Sequence, residues 1–269
     1  MPRALESEKA TLEGMAPLEK GPPVQPSLVS PHHDDPLPLY RIPSLLVEES
    51  FEKMKDLKPF SLLLNQEDVE ECDWLEHLAF DSIEAASREK IEYRLAVCGE
   101  LCSGIFSSAY TTTSTPLGAL IRSRKFPSID SSDSDRKRIL LGHIIATKHR
   151  HRTVTDDSMD FPSNWRTKYQ LSPSTGHDED GETVCLHSLA VHPDFQNQGL
   201  GKVLLLSWVQ RIRDSGTGKR IALLCRERLV PFYERSGFKS LGPSKAQYGG
   251  GGWVDMIMEF GQDRNDDGF

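Results

Sequence analysis

Residues 186–202, Leu-His-Ser-Leu-Ala-Val-His-Pro-Asp-Phe-Gln-Asn-Gln-Gly-Leu-Gly-Lys, constrain the fold more than any other part of the chain. A short apolar strand enters a Pro-Asp turn, a polar segment with two glycines follows, and then an amphipathic run without a breaker. The pattern predicts a strand, a loop of phosphate size and a helix N-terminus. Free main-chain N–H groups between Asn197 and Lys202 would converge there with the positive end of the helix dipole, which makes an anion site that needs few basic side chains.

Two familiar glycine loops do not fit the spacing. A dinucleotide fingerprint requires a third glycine three residues after Gly201, where Leu204 stands, and a P-loop requires Gly-Lys-Ser/Thr after four spacers. What remains is Gln196-Asn197-Gln198-Gly199-Leu200-Gly201, a Gln/Arg-x-x-Gly-x-Gly/Ala loop, or else a plain turn with incidental glycines. The residues that follow extend the pattern. Residues 203–213 read as a helix closed by 215–218, residues 221–225 as a buried strand, and residues 229–236 as a short helix closed by Gly237.

This order, with the loop at 196–201 and Pro231-Phe232-Tyr233 ahead of Gly237-Phe238, resembles the GNAT acyltransferases. Within them, residues 186–193, 223–225 and 229–233 resemble the serotonin (arylalkylamine) N-acetyltransferase family. Residues 76–80 and 100–106 resemble that family's first helix and second strand, and residues 242–253 its fungal branch, which includes polyamine acetyltransferases. The likeness covers about residues 59–260. It implies an α/β chain of the mixed-sheet (α+β) kind, with helices flanking the sheet and its fourth and fifth strands splayed apart. The co-substrate implied is acetyl-CoA, with no metal, held by Leu189, Ala190, Val191, Gln196, Asn197, Gln198, Gly199, Leu200, Gly201, Lys202 and Tyr233. The implied activity is direct N-acetylation of a small primary amine, either an arylalkylamine or a polyamine. Acetylation of protein lysines or N-termini is the rival within the fold, and a non-catalytic acyl-CoA-binding regulator the rival outside enzymes.

Length and composition set the frame. The 269 residues show one complete set of elements, read as a single domain at 59–262, with a disordered or weakly ordered tail at 1–58, whose first 38 or so residues are rich in Pro, Glu, Ser and Gly, and a short C-terminal tail at 263–269. Within the first tail, 44–56 could form a short amphipathic helix. Strands are expected at 60–64, 103–110, 139–147 and 254–260, and helices at 67–80, with Asn65 as cap, and 85–95. The Ser/Thr-rich stretch 111–138 reads as a mobile insertion that breaks the second strand pair. Five cysteines form no Cys-x-x-Cys pair and suit a reducing compartment. No apolar run approaches the roughly 20 residues of a membrane helix, and the net charge of −8 argues against a nucleic-acid partner. The expectation is a cytoplasmic enzyme without membrane contact. A regulatory partner, reached through the tail or a phosphorylated loop, stays open.

An alkylamine attacks a thioester only as its free base. The site must therefore remove a proton, stabilise an oxyanion and return a proton to the leaving thiolate. Strict strand alternation would place Cys185, His187, Leu189 and Val191 on one face and Val184, Leu186, Ser188 and Ala190 on the other. The family carries two histidines on the first of those faces; here His187 matches the second, and Cys185 stands in place of the first. A neutral imidazole of pKa about 6.5 is a competent relay member, whereas a thiol of pKa about 8.5 is mostly protonated at neutral pH. His187 is thus assigned the proton relay, and Cys185 a cleft-lining place. The resemblance makes Tyr233 the general acid, and N–H groups at 189–191 would hold the oxyanion. His192 reads as a turn residue with a lesser claim as base, and Cys225 as a small hydrophobe rather than a nucleophile. Phe161 and Trp165 are candidates to line an amine pocket, with packing under a loop as the alternative. The acidic clusters 156–160 and 178–182 read as solvated loops or as a steering patch.

Overall fold

The computed structural model describes residues 57–130, 132–167 and 175–261. The tails expected at 1–58 and 263–269 and the helix expected at 44–56 lie outside the described residues, apart from Leu57 and Lys58. Leu57 is buried in the main core, and its carbonyl accepts the Ser107 hydroxyl.

Eight strands form one mixed sheet: β1 (Phe60–Leu63), β2 (Ser103–Tyr110), β3 (Ser128–Asp130), β4 (Asp133–His149), β5 (Thr183–Val191), β6 (Arg220–Cys225), β7 (Lys239–Pro243) and β8 (Val254–Glu259). Their order is β1-β2-β4-β5-β6-β8-β7, with β3 paired to β4. Every pairing is antiparallel except β5 with β6. That parallel step needs a crossover, and the helix expected at 203–213 supplies it as α5 (Leu200–Asp214).

The sheet is covered on both faces. On one, α1 (Val69–Ala79) and α2 (Arg88–Cys98) bury Cys72, Leu75, Ile91 and Leu95 against Phe106, Leu140 and Ile145. On the other, α5 turns Leu200, Leu204, Leu205, Trp208, Val209 and Ile212 inward, a stripe at helical spacing. Trp208 keeps its one polar group satisfied there by donating to Leu101 O at 2.7 Å. Ahead of α1, Asn65 caps as expected: its side chain accepts from Glu67 N at 2.8 Å while its own N–H donates to Asp68 at 3.0 Å. The second helix starts at Arg88 rather than Ala85, because Ser87 accepts from Lys90 N and fixes the first turn.

The stretch 111–138 differs from the mobile insertion expected of it. It carries α3 (Pro116–Ser123) and β3, and Leu117, Leu120, Ile121 and Phe126 enter the main core. Proline at the start of α3 and an apolar stripe at 117, 120 and 121 make a helix that the neighbouring Ser/Thr runs obscured.

Candidate active site

The chemistry-bearing strand is bent by one extra residue. On β4–β5, Ile145 faces Ser188 but Ala146 faces Leu186, so His187 bulges from the ladder. A bulge reverses the side-chain alternation beyond it. Val184 and Leu186 therefore share the α5 face with Leu189 and Val191, whereas Ser188 and Ala190 turn toward α1. The strict alternation expected from the sequence is corrected on this point.

Past the bulge, β5 and β6 part. Their parallel pairing runs only from Thr183↔Arg220 to Leu186↔Leu223, although β5 continues to Val191 and β6 to Cys225. His192 donates to Leu141 O at 2.8 Å, so alternate residues on β5 address β4 and the N–H groups of Leu189 and Val191 face the gap. Ala190 turns its side chain into the α1 core and directs its own N–H to β4. Of the three N–H groups expected at 189–191, two therefore face the gap.

The loop beyond β5 is shaped to present amides. The His192 ring accepts from Asp194 N at 3.2 Å and packs on Trp74, confirming it as a turn residue, and Phe195 anchors the turn in the core. Gln196 Nε2 donates back to Val191 O at 3.0 Å. Asn197 and Gly199 both adopt positive φ, 60° and 92°, conformations that Asn tolerates and Gly favours. The bond from Val203 N to Gly199 O, 3.0 Å, opens the helical ladder, so the amides just ahead of it point out of the helix end. Gln196, Asn197, Gly199, Gly201 and Lys202 border a cleft of about 510 Å³. Leu200 buries its side chain beneath it.

The cleft runs from this helix end through the β5–β6 gap. Leu189, Val191, Cys225, Phe232 and Tyr233 line it, with Lys202 and Arg228 adding positive charge. It also takes in Glu76, Phe80, Asp81, Glu84, Met159, His187, Tyr248 and Trp253. His187 presents part of its ring to the cleft and is held at both nitrogens: Nε2 lies 2.7 Å from Thr147 Oγ1, and Nδ1 lies 3.0 Å from Met159 Sδ. Burial, then the nearby charges of Arg94 and Lys90, depress its pKa well below the ordinary histidine value, so the ring is neutral. Tyr233, from α6 (Val230–Glu234), is buried between Phe232 and Phe238, and burial raises its phenol pKa, so the hydroxyl keeps its proton across the physiological range.

Of the remaining sequence candidates, Cys185, Phe161 and Trp165 sit outside the cleft. Cys185 is fully buried with Val154, Met159 and Ala222, and burial pushes its thiol up to about 12, so it neither lines the cleft nor serves as base. Phe161 and Trp165 pack on Tyr93, and the cleft's aromatic wall comes instead from Phe80, Tyr248 and Trp253. Cys225 does reach the cleft, but burial pushes its thiol up to about 11, so it is not a thiolate. The acidic loops are structural: Asp156 accepts from Gln247 N and Tyr248 N, and Asp178 pairs with Arg150 at 2.7 Å.

One group of site residues had no role in the sequence reading. Glu76, on α1, accepts from Ser188 Oγ at 2.6 Å, from Ala86 N at 3.0 Å and contacts His143 Nε2 at 2.9 Å. Burial opposes its ionisation, but these hydrogen bonds outweigh burial and hold the carboxyl below the usual carboxylate range. A signal was available: a carboxylate on the same helical face as Cys72 and Leu75 needs a buried partner. Among the described residues no group of His, Cys, Asp and Glu forms a metal-ligand set, and no helix is long and apolar enough to cross a membrane.

Comparison with known proteins bears on this geometry. Residues 175–260 match the family model described as an acetyltransferase (GNAT) domain. The chain is 41% identical to serotonin N-acetyltransferase of Mesocricetus auratus over 75 residues, 28% of this chain and 36% of that protein. It is 42% identical to serotonin N-acetyltransferase of Homo sapiens over 69 residues, 26% of this chain and 33% of that protein. The chain thus spans about a third of the length of the curated relatives it matches. A solved GphF GNAT-like decarboxylase in complex with isobutyryl-CoA shares the fold at 13% identity and a TM-score of 0.51, covering 74% of this chain and 98% of that one. The segment 175–260, which holds the parted strands β5 and β6 and the crossover helix α5, is thus the part of this chain that is similar to a GNAT acetyltransferase domain.

Proposed function

We propose that the protein is an acetyl-CoA-dependent N-acetyltransferase acting on a small primary amine by direct transfer. The observation that carries this reading is the continuity of the cleft, which joins the amide-rich start of α5, through the gap between β5 and β6, to a pocket holding His187 and Glu76. The donors present fit the co-substrate: a helix N-terminus suits a diphosphate, and an unpaired strand edge suits the amides of a pantetheine arm. Leu189 N–H and Val191 N–H are the donors for charge developing on the thioester oxygen.

His187 takes up the amine proton, directly or through water, and Tyr233 returns one to the departing thiolate. Neither Cys185 nor Cys225 is available as a thiolate, which favours direct attack over an acyl-enzyme. Glu76, Asp81 and Glu84 line the same cleft as Phe80, Tyr248 and Trp253, a wall suited to a cation with an apolar body, as in an arylalkylamine or a polyamine. The relatives named serotonin N-acetyltransferase support the same acceptor class.

A steady-state panel of tryptamine, serotonin, spermidine and a histone-like peptide with acetyl-CoA tests this reading. Turnover of one or more small amines is expected. Turnover of the peptide alone would overturn it in favour of a protein acetyltransferase, and coenzyme binding without turnover would favour a regulator.

A further inference from the structure

Arg94 is among the largest fully buried side chains, 1% exposed in the middle of α2. No carboxylate among the described residues lies within ion-pair distance of it, and its Nε has no hydrogen-bond partner. Burying a guanidinium without an ion pair is costly, and an apolar side chain of similar size would fill the same space at lower cost. Its one hydrogen bond among the described residues is Nη2–H to Met159 O, 2.8 Å. Met159 closes α4 (Asp156–Met159), a single turn capped by Thr155, and its sulfur is the atom that meets His187 Nδ1 at 3.0 Å.

We propose that Arg94 is a positioning residue, fixing Met159 through its main-chain carbonyl so that the thioether and Thr147 together set the orientation of His187 in the cleft. This rests on the reading of His187 as the proton relay. The groups facing the imidazole come from four elements: Arg94 and Lys90 from α2, Thr147 and His149 from β4, His177 from the segment before β5, and Met159 from α4; Glu76 on α1 lines the same cleft. Arg94 is the first of the charges that hold the ring neutral, and unlike Lys90 it is fully out of water, so its field is little screened. One buried side chain thereby holds the group that orients the imidazole and adds to burial in keeping the ring neutral.

The test is nitrogen-15 NMR of histidine-labelled full-length protein, with the His187 signals assigned by loss in His187→Gln, followed against pH for the wild type, Arg94→Met, Arg94→Lys and Met159→Leu. Turnover with acetyl-CoA and tryptamine is measured across the same range. In the wild type His187 should show a single tautomer. Arg94→Met should bring tautomer averaging and an upward move of its titration, and of the acid limb of kcat/KM, by about one pH unit, with KM for acetyl-CoA changed less than about twofold. Arg94→Lys should restore the titration, and Met159→Leu should bring the averaging while leaving the titration near wild type. His187 spectra of Arg94→Met that superimpose on the wild type would overturn the proposal. Should Arg94→Met fail to fold, unchanged tautomer signals in Met159→Leu would overturn it equally. Because the spectra need no turnover, absence of activity on every amine would strike the proposed function and leave this proposal to be decided by NMR.

Discussion

Glu76 Oε2 and Ser188 Oγ lie 2.6 Å apart, joining α1 to the residue that follows the bulge on β5. The contact exists because the extra residue at His187 turns Ser188 toward α1; without the bulge, a carboxylate on the apolar face of that helix would lack this donor. The His143 ring meets both partners through one nitrogen, Nε2, at 2.9 and 3.0 Å, so the three form a closed cluster rather than a linear relay.

The cluster should appear in the acid stability of the protein. Glu76 has a folded-state pKa below its unfolded value, so its contribution is fully present above that unfolded value, 4.5, and is lost as pH falls through the folded one. Glu76→Gln is expected to lower stability at pH 7 by about 1–3 kcal/mol and to flatten the acid side of the stability profile. Urea unfolding at a series of pH values measures both; an unchanged acid slope would remove Glu76 from the account.

Glu71 behaves in the opposite sense. It is buried with both oxygens lacking hydrogen bonds, Arg138 standing at 3.6 Å, and burial raises its carboxyl to about 7 from 4.5. The unfolded chain releases this proton first, so stability falls as pH rises from about 4.5 to about 7 and stays reduced above that. Glu71→Gln should therefore raise stability at pH 8, by up to about 3 kcal/mol, and have little effect near pH 4. Paired urea titrations at the two values decide it.

The strand, loop and crossover helix at 186–213 were legible in the sequence because each rests on local rules: a period of two, a Pro-Asp turn, glycines ahead of a helix, and an apolar stripe from Leu200 to Ile212. His192 as a turn residue followed from the proline behind it. The bulge at His187 was not legible, because a bulge is a property of two paired strands and only β4 reveals that one residue is surplus. The aromatic wall of the cleft was missed for a related reason. Phe161 and Trp165 lie close in sequence to the site strand but pack on Tyr93, while Tyr248 and Trp253 are brought in from the far end of the chain by Asp156 and Arg226, the first accepting from Tyr248 N at 2.8 Å and the second stacking 3.8 Å over the Trp253 ring.

Tyr233→Phe separates chemistry from binding. The phenol is buried in the cleft wall with its pKa raised, so it holds its proton through neutral pH and its loss removes a donor without altering charge. The single-turnover rate should fall by about 10²-fold while the acetyl-CoA Kd changes little. An unaltered rate would remove Tyr233 from the mechanism. His187→Ala should abolish an acid limb that, given its depressed pKa, lies below about pH 6.5 in the wild type.

Gly199 offers the complementary test, binding without chemistry. At φ 92° it sets the turn from which the α5 amides emerge, and a side chain there is strained even where space permits. Gly199→Ala should relieve that strain by rotating the loop, which misaligns the donors at the helix end while leaving His187 and Tyr233, on β5 and α6, in place. A strain of roughly 1–2 kcal/mol corresponds to a weakening of acetyl-CoA binding of about 5- to 30-fold. Isothermal titration calorimetry reads that change directly, and kcat at saturating co-substrate should stay within about twofold of the wild type. If instead kcat falls while the Kd holds, the loop governs the placement of the thioester and not the grip on the diphosphate, and the anion-site reading of residues 196–202 gives way.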